Sequence, residues 1–145
     1  GFLGSTDPIE FAARYAGAKA VADDKGVPIR ALPTHLSPEH AADEIAAHLA
    51  SDMAGIDGIF AASDMLAIAC MTELQKRGID VPGGMKLVGF DDLPIASQTR
   101  PALTTIRQDI AAGAARLADL LLRRMGGENT ASVVLPPELV GRQTA

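Results

Sequence analysis

Short apolar runs alternate along this chain with helix-length segments that carry their own start and stop signals, and that alternation restricts the fold more than any other feature. After the strand-like opening GFLGS comes STDPIEFAARYAGAKAVADDKG. There Asp7 suits an N-cap, Pro8 the first helical position and Glu10 the return arm of a capping box, with Gly26 as the stop. VPIRALPTH is a second strand and loop, and SPEHAADEIAAHLASD repeats the grammar with Ser37 and Pro38. The strand GIDGIFAAS leads into the helix DMLAIACMTELQKRG, closed by Gly78. MKLVGF is the next strand and ALTTIRQ is extended. DIAAGAARLADLLLRRMGG is the longest helix, and ASVVLPPELVGRQ reads as two short strands broken by Pro136-Pro137. Strands alternating with helices in this way predict an α/β fold with a mostly parallel sheet. One run ends oddly. In KLVGFDDLP the apolar stretch stops at two adjacent carboxylates, Asp91 and Asp92. A turn explains one of them as punctuation, but open parallel sheets also keep their ligands at strand carboxyl ends.

The 145 residues suit one domain, and 48% hydrophobic against 21% charged residues mark the chain as globular rather than disordered. Only 3% is aromatic, with no Trp, so the core must be aliphatic and Ala-rich, and a base-stacking platform is not expected. Thirteen basic residues face eighteen acidic ones for a net charge of −5. The pairs in LQKRG and LLRRM lie near predicted helix ends, where cations are favoured anyway. Without a basic stripe this chain is not expected to bind DNA itself. The one cysteine, Cys70, excludes an internal disulfide and a multi-thiolate metal site, and within LAIACM it reads as a buried thiol. No apolar stretch reaches the roughly 18 residues of a membrane span, and no charged-then-apolar leader opens the sequence. A start at Gly1-Phe2-Leu3-Gly4 is what a piece of a longer protein would show.

His40 and His48 lie eight residues apart, roughly 80° around a helix and two turns along it, too far to share a metal. His35 falls in a loop without a neighbouring cysteine, so surface or hydrogen-bonded histidines are expected. A magnesium or phospho-acceptor site at Asp91-Asp92 would need more acidic ligands and a lysine at other strand ends, which offer Ser5, His35 and Ser63-Asp64. There is no G-x-S-x-G elbow, Walker loop or G-x-G-x-x-G, and the Gly pair of VPGGMKL precedes a strand as a turn would. No nucleophile has a base beside it, so neither an enzyme nor a catalytic residue, metal or cofactor is expected. Binding remains. Arg14, Ser63-Asp64 at a helix start and Asp91 lie at strand ends, and one guanidinium, one hydroxyl and one carboxylate suit a polyhydroxylated or similarly polar small molecule.

The stretch from GIFAASDM through GFDDLP and RPALTTIRQD to LLLRRMGG closely resembles the effector-binding domain of the LacI/GalR family of bacterial transcription regulators. LPPELVGRQT is similar to that family's closing signature, and ARYAGAKAV to its R..G...A helix. The resemblance implies a doubly wound, periplasmic-binding-protein-like type I lobe. It also implies a division of the chain. Residues about 1–106 and 137–145 would form the C-terminal lobe, about 107–136 would cross into the N-terminal lobe, and the DNA-reading helix-turn-helix would lie outside this chain. By resemblance Arg14 and Asp91 contact the effector while Asp92 fixes the turn. Ser63 takes a cleft position often held by Asn, and Glu10 falls among cleft-lining positions. Leu36 stands where an aromatic often stacks on the ligand, and Ala41 replaces a usual Gly, which argues against a hexose. Met65, Ile68 and Thr99 match dimer-interface positions, although DMLAIACMTEL could equally pack into the monomer's own core.

The implied protein is a cytoplasmic repressor-type regulator that senses a sugar or related polar metabolite. It would form a homodimer, reach operator DNA only through the absent N-terminal module, and have no membrane partner. The competing reading is a periplasmic sugar-binding protein of an ABC transporter on the same fold, which would not carry P.LTT.RQ and LP.ELV.R together. One further expectation concerns the longest helix. Its stripe Ile110, Ala114, Leu117, Leu121 and Leu122 should pack on the other lobe and, left bare, favour self-association.

Overall fold

Four apolar runs pair in register as parallel strands, as buried runs without polar alternation should. The computed structural model describes residues 1–5, 9–35, 38–51 and 53–145, apart from the side chains of Ile9, Glu10, Pro38 and Glu39. In chain order the elements are β1 (Phe2–Leu3), α1 (Ile9–Asp24), β2 (Ala31–Leu32), α2 (Pro38–Ser51), β3 (Gly58–Ala61) and α3 (Asp64–Lys76). There follow β4 (Lys86–Val88), a 3-10 turn at Pro94–Ser97, β5 (Thr105–Arg107), α4 (Ile110–Met125) and β6 (Glu138–Val140). The expected caps Asp7, Pro8 and Ser37 lie outside the described residues. Gly78 ends α3 in the left-handed region at φ 69°, as its sequence position predicts.

The parallel sheet has the order β2-β1-β3-β4. Phe2 pairs with Ala31 on one side and Phe60 on the other, and Ile59 pairs with Leu87. Winding therefore reverses at β1. Right-handed crossovers put α1 on one face of the sheet and α2 and α3, which pack on each other, on the opposite face. The sheet is doubly wound, and in such sheets ligands sit beyond the carboxyl ends of the strands at the switch point, here β1 and β3. The core is aliphatic as composition requires, with Leu3, Leu32, Ile45, Leu66, Leu74 and Leu87 fully buried. The few aromatics gather, the Phe2 ring tilted against Tyr15 at 5.2 Å and edge-to-face with Phe60 at 5.6 Å. On α3 the inner stripe Leu66, Ala67, Cys70, Met71 and Leu74 is buried. Burial, with Glu73 nearby, pushes the Cys70 thiol up to about 12.

Beyond β4 the parallel pairing continues through Gly89 N–H to Thr104 O and Asp91 N–H to Ile106 O. β5 then pairs antiparallel with β6, Ile106 opposite Leu139. The buried Thr144 stitches the final segment to β4, its hydroxyl donating to Leu87 O (2.6 Å) and accepting from Thr104 N–H (2.8 Å). Between β5 and β6 stands α4, capped by Asp109, whose Oδ1 accepts from Ala112 N–H. None of its residues is buried, and Ile110, Leu117 and Leu122 are each about 70% exposed.

One sequence expectation fails here. Of the two strands read in ASVVLPPELVGRQ only β6 forms, and residues 131–137 have no regular structure. A strand needs a ladder partner, and among the described residues no strand lies beside Val133–Leu135.

Candidate functional site

Arg14 occupies the switch point beyond the end of β3. The side chain leaves α1, and its Nη1 donates to Ala62 O, one residue past β3. Its guanidinium lies 3.9 Å from the Phe90 ring centroid and 5.1 Å from that of Phe11, while Nη2 is 3.8 Å from Asp91 Oδ1. An arginine stacked on aromatic faces and fixed at one edge by a carbonyl keeps its plane in place, a contact worth about 0.5–2 kcal/mol. Gln108, just after β5, reaches Asp91 Oδ1 with its Nε2 at 3.4 Å. Ser63 follows Ala62 and caps α3, its Oγ accepting from Leu66 N–H at 3.3 Å. Arg14 and Asp91 are thus brought together, and Ser63 adjoins the carbonyl that Arg14 holds. A guanidinium, a carboxylate and an amide on a partly exposed aromatic floor can present donors and acceptors to a small polar molecule.

The two adjacent carboxylates of the turn divide the work. Both residues have left-handed backbones, Asp91 at φ 114° and Asp92 at φ 54°. Such conformations cost about 1–3 kcal/mol each and persist only where the surroundings over-determine them. Asp92 supplies part of that determination. Its Oδ1 accepts from Arg142 Nη2 at 2.6 Å and its Oδ2 from Arg107 Nε at 2.7 Å. Burial pushes the Asp92 carboxyl up, but the hydrogen bonds and charges of Arg142 and Arg107 outweigh it and hold it below the usual carboxylate range. Asp91 moves the other way. Burial, reinforced by Asp64, raises it against the opposing pull of Arg14 and Gln108. Beneath the turn lies the buried Asp64, raised mainly by desolvation. Gly89 is the only residue type that fits there, because a Cβ would collide with the Asp64 carboxylate.

Sequence reasoning missed several members of this cluster. Phe90 read as the end of a strand, yet its face carries Arg14. Gln108 and Phe11 carried no local signal at all. Leu36 lies outside the described residues, as does the side chain of Glu10, although Glu10 stands one helical turn before Arg14 on the same face of α1. Two of the three histidines are hydrogen-bonded, and the His40 ring lies 6.2 Å from that of His35. The carboxylate of Glu44 accepts from His35 N–H (2.7 Å) and meets the His35 ring, and His48 Nε2 bonds Pro33 O at 2.7 Å. The His35 N–H bond is the main cause that holds Glu44 below the usual range. Among the described residues no group of metal-ligating side chains comes together. At the expected dimer face Met65 is 40% exposed and Ile68 is half-buried against the core. Thr99 is half-buried too, its hydroxyl bonded to Pro101 O (2.8 Å).

With this geometry in view, the comparisons with known proteins are specific. The sequence matches the periplasmic binding protein-like domain over residues 1–145. It is 34% identical over 136 residues to the HTH-type transcriptional regulator DegA of Bacillus subtilis, an alignment that takes in 90% of this chain and 40% of that protein. A sugar-binding transcriptional regulator of the LacI family from Escherichia coli, solved with phosphate, superposes with a TM-score of 0.88 at 26% identity, covering 99% of this chain and 53% of that one. A LacI-family regulator from Enterococcus faecium with bound ribose does so with a TM-score of 0.85 at 29% identity, covering 99% and 55%. The chain thus spans between 26% and 40% of the first curated relatives and about half of the related structures. A match over its whole length, together with regulators of one kind as relatives, shows that the chain belongs to the periplasmic-binding-protein-like domain family in its LacI/GalR transcription-regulator branch.

Proposed function

We propose that the chain is the ligand-sensing and dimerising part of a bacterial transcription regulator of the repressor type, binding a sugar or related polar metabolite at Arg14, Asp91 and Ser63. The observation that carries this is the Arg14–Asp91 pair set on Phe90 at the topological switch point of a doubly wound sheet. Glu10 and Leu36 belong to the same proposed rim. The relatives reported above are regulators, which favours this reading over a transport protein. A regulator of transcription works where the DNA is, so the cytoplasm is its proposed place, and none of the described helices is long and apolar enough to cross a membrane.

The bare face of α4 supports the division into lobes. Residues about 1–106 and 137–145 form one lobe in this reading, and about 107–136 pack against the other, which holds the remaining wall of the cleft. Operator DNA is reached through a separate N-terminal module. The outward residues Met65, Ile68 and Thr99 are proposed to meet a second copy. The test is calorimetry on the intact regulator with a panel of sugars and polyols. Arg14→Ala and Asp91→Asn should each weaken the ligand found by about 1.5–3 kcal/mol, the range for hydrogen bonds to charged groups, while operator affinity without ligand stays put. Unchanged ligand affinity in both variants would sink the site.

A further inference from the structure

The turn that presents Phe90 and Asp91 is strained, and Asp92 accounts for only part of what holds it. The rest comes from Asp64 at the first position of α3. Its backbone N–H donates to Phe90 O at 2.7 Å, and its Oδ2 accepts from Leu93 N–H at 2.7 Å. Its Oδ1 accepts from the Thr105 hydroxyl. Asp64 therefore grips both ends of the tetrapeptide Phe90–Leu93 and ties it to β5, from a residue with no exposure to solvent. We infer that Asp64 is a positioning residue for the ligand site, one that never touches the ligand and acts by fixing where the Phe90 ring and the Asp91 carboxylate point.

Two features favour this over a merely structural carboxylate. An isolated buried charge is costly, and here it is compensated by two donors and the amino end of α3. Both donors need an acceptor. An amide in its place would offer one acceptor and turn a second donor against either Leu93 N–H or the Thr105 hydroxyl. The carboxylate is thus the side chain this spot requires, and the segment it orders is the one that carries Asp91. Gly89 enforces the arrangement from the other side by leaving the space that the carboxylate fills.

The inference rests on the reading of Arg14 and Asp91 as a ligand site, and its test separates the two. Two-dimensional NMR on the 15N-labelled chain, comparing wild type with Asp64→Asn, follows the amides of residues 90–93 and the Arg14 Nε–H. That side-chain proton belongs to the guanidinium whose Cζ lies 3.9 Å from the Phe90 ring centroid, so it feels the ring current. Asp64→Asn is expected to shift these signals and leave the amides of β1 and β3 in place. A general loss of stability would not move the Arg14 Nε–H selectively. Turn signals that stay unmoved in a folded variant overturn the inference. Should Asp64→Asn not fold, Thr105→Val, which removes one donor and keeps the shape, decides in the same way. D-ribose, the sugar held by one related structure, is titrated in parallel into the 15N-labelled intact regulator, in which the proposed cleft has both walls. Shifts at Arg14 and Asp91 in wild type, about tenfold weaker in affinity in Asp64→Asn, support the inference. Equal affinity despite a moved turn refutes it. If ribose moves nothing in wild type, that counts against the ligand reading for pentoses, and the turn signals still decide the role of Asp64.

Discussion

Removing the Asp92 carboxylate should cost more than breaking any other single ion pair among the described residues, because Asp92 joins three stretches far apart in sequence. Asp92→Ala deletes the acceptor of Arg142 Nη2 and of Arg107 Nε. The two arms differ in weight. The Arg142 pair is well shielded, with side chains 17% and 10% exposed, so the range of about 1.5–3 kcal/mol for a charge-assisted bond applies. Arg107 is half exposed, and solvent screening leaves its arm little. Arg142 keeps Leu103 O as a partner for Nη1, which limits the penalty of stranding its charge. Alanine also tolerates the left-handed φ of 54° less well than aspartate does. Together these give about 2–3 kcal/mol. For a chain of this size that lowers the melting temperature by about 5–10 °C.

The assay is urea and thermal unfolding at pH 7, followed by circular dichroism, with Asp92→Asn as the variant that keeps the shape. The pH dependence follows from the depressed carboxyl. A carboxylate held below its unfolded value stabilises above that value, near about 3.9, and loses the contribution as pH falls through the lower folded one. The gap between wild type and variant should therefore persist down to that range and close only below it. A loss under about 0.5 kcal/mol at pH 7, the scatter of neutral surface substitutions, would refute the reasoning.

The stripe on α4 should drive self-association of the isolated chain, and Leu117→Glu with Leu121→Glu should reduce it; a light-scattering mass of one 15.0 kDa chain at micromolar concentration would contradict this. Gly89→Ala should destabilise by about 1–3 kcal/mol, as overpacking does, because its Cβ collides with the Asp64 carboxylate; a wild-type melting curve would show that the turn has room to give.

What the sequence disclosed depends on how local the cause is. The helices α1, α2 and α3 were legible from signals within single segments, such as Pro38 at the start of α2 and the stops Gly26 after α1 and Gly78 after α3. The parallel pairing of β1 to β4 follows from their alternation with helices. The order β2-β1-β3-β4 does not, since it depends on which side of β1 each crossover falls, and only that order places α1 and Arg14 over the end of β3. Val133–Leu135 shows the converse. It has the composition of a strand, but strand formation is a property of a pair, and among the described residues no strand lies beside it.

The pair Asp91-Asp92 makes the same distinction at the scale of two residues. That two carboxylates close a buried strand was visible, and that one faces a crevice followed from the resemblance. Their division of labour was not visible, because the groups that enforce it are remote. Arg107 and Arg142 approach Asp92 from β5 and from beyond β6, and Asp64 reaches under the turn from α3. None of these separations leaves a periodic trace in the sequence. A consequence follows for coupling. Asp91 faces Arg14 while its neighbour holds the strands that lead into α4 and back, so any ligand that shifts the Asp91 carboxylate pulls on a strained backbone whose next residue anchors β5 and the segment after β6. The proposed ligand site and the strands that flank α4 are thereby joined through one peptide bond.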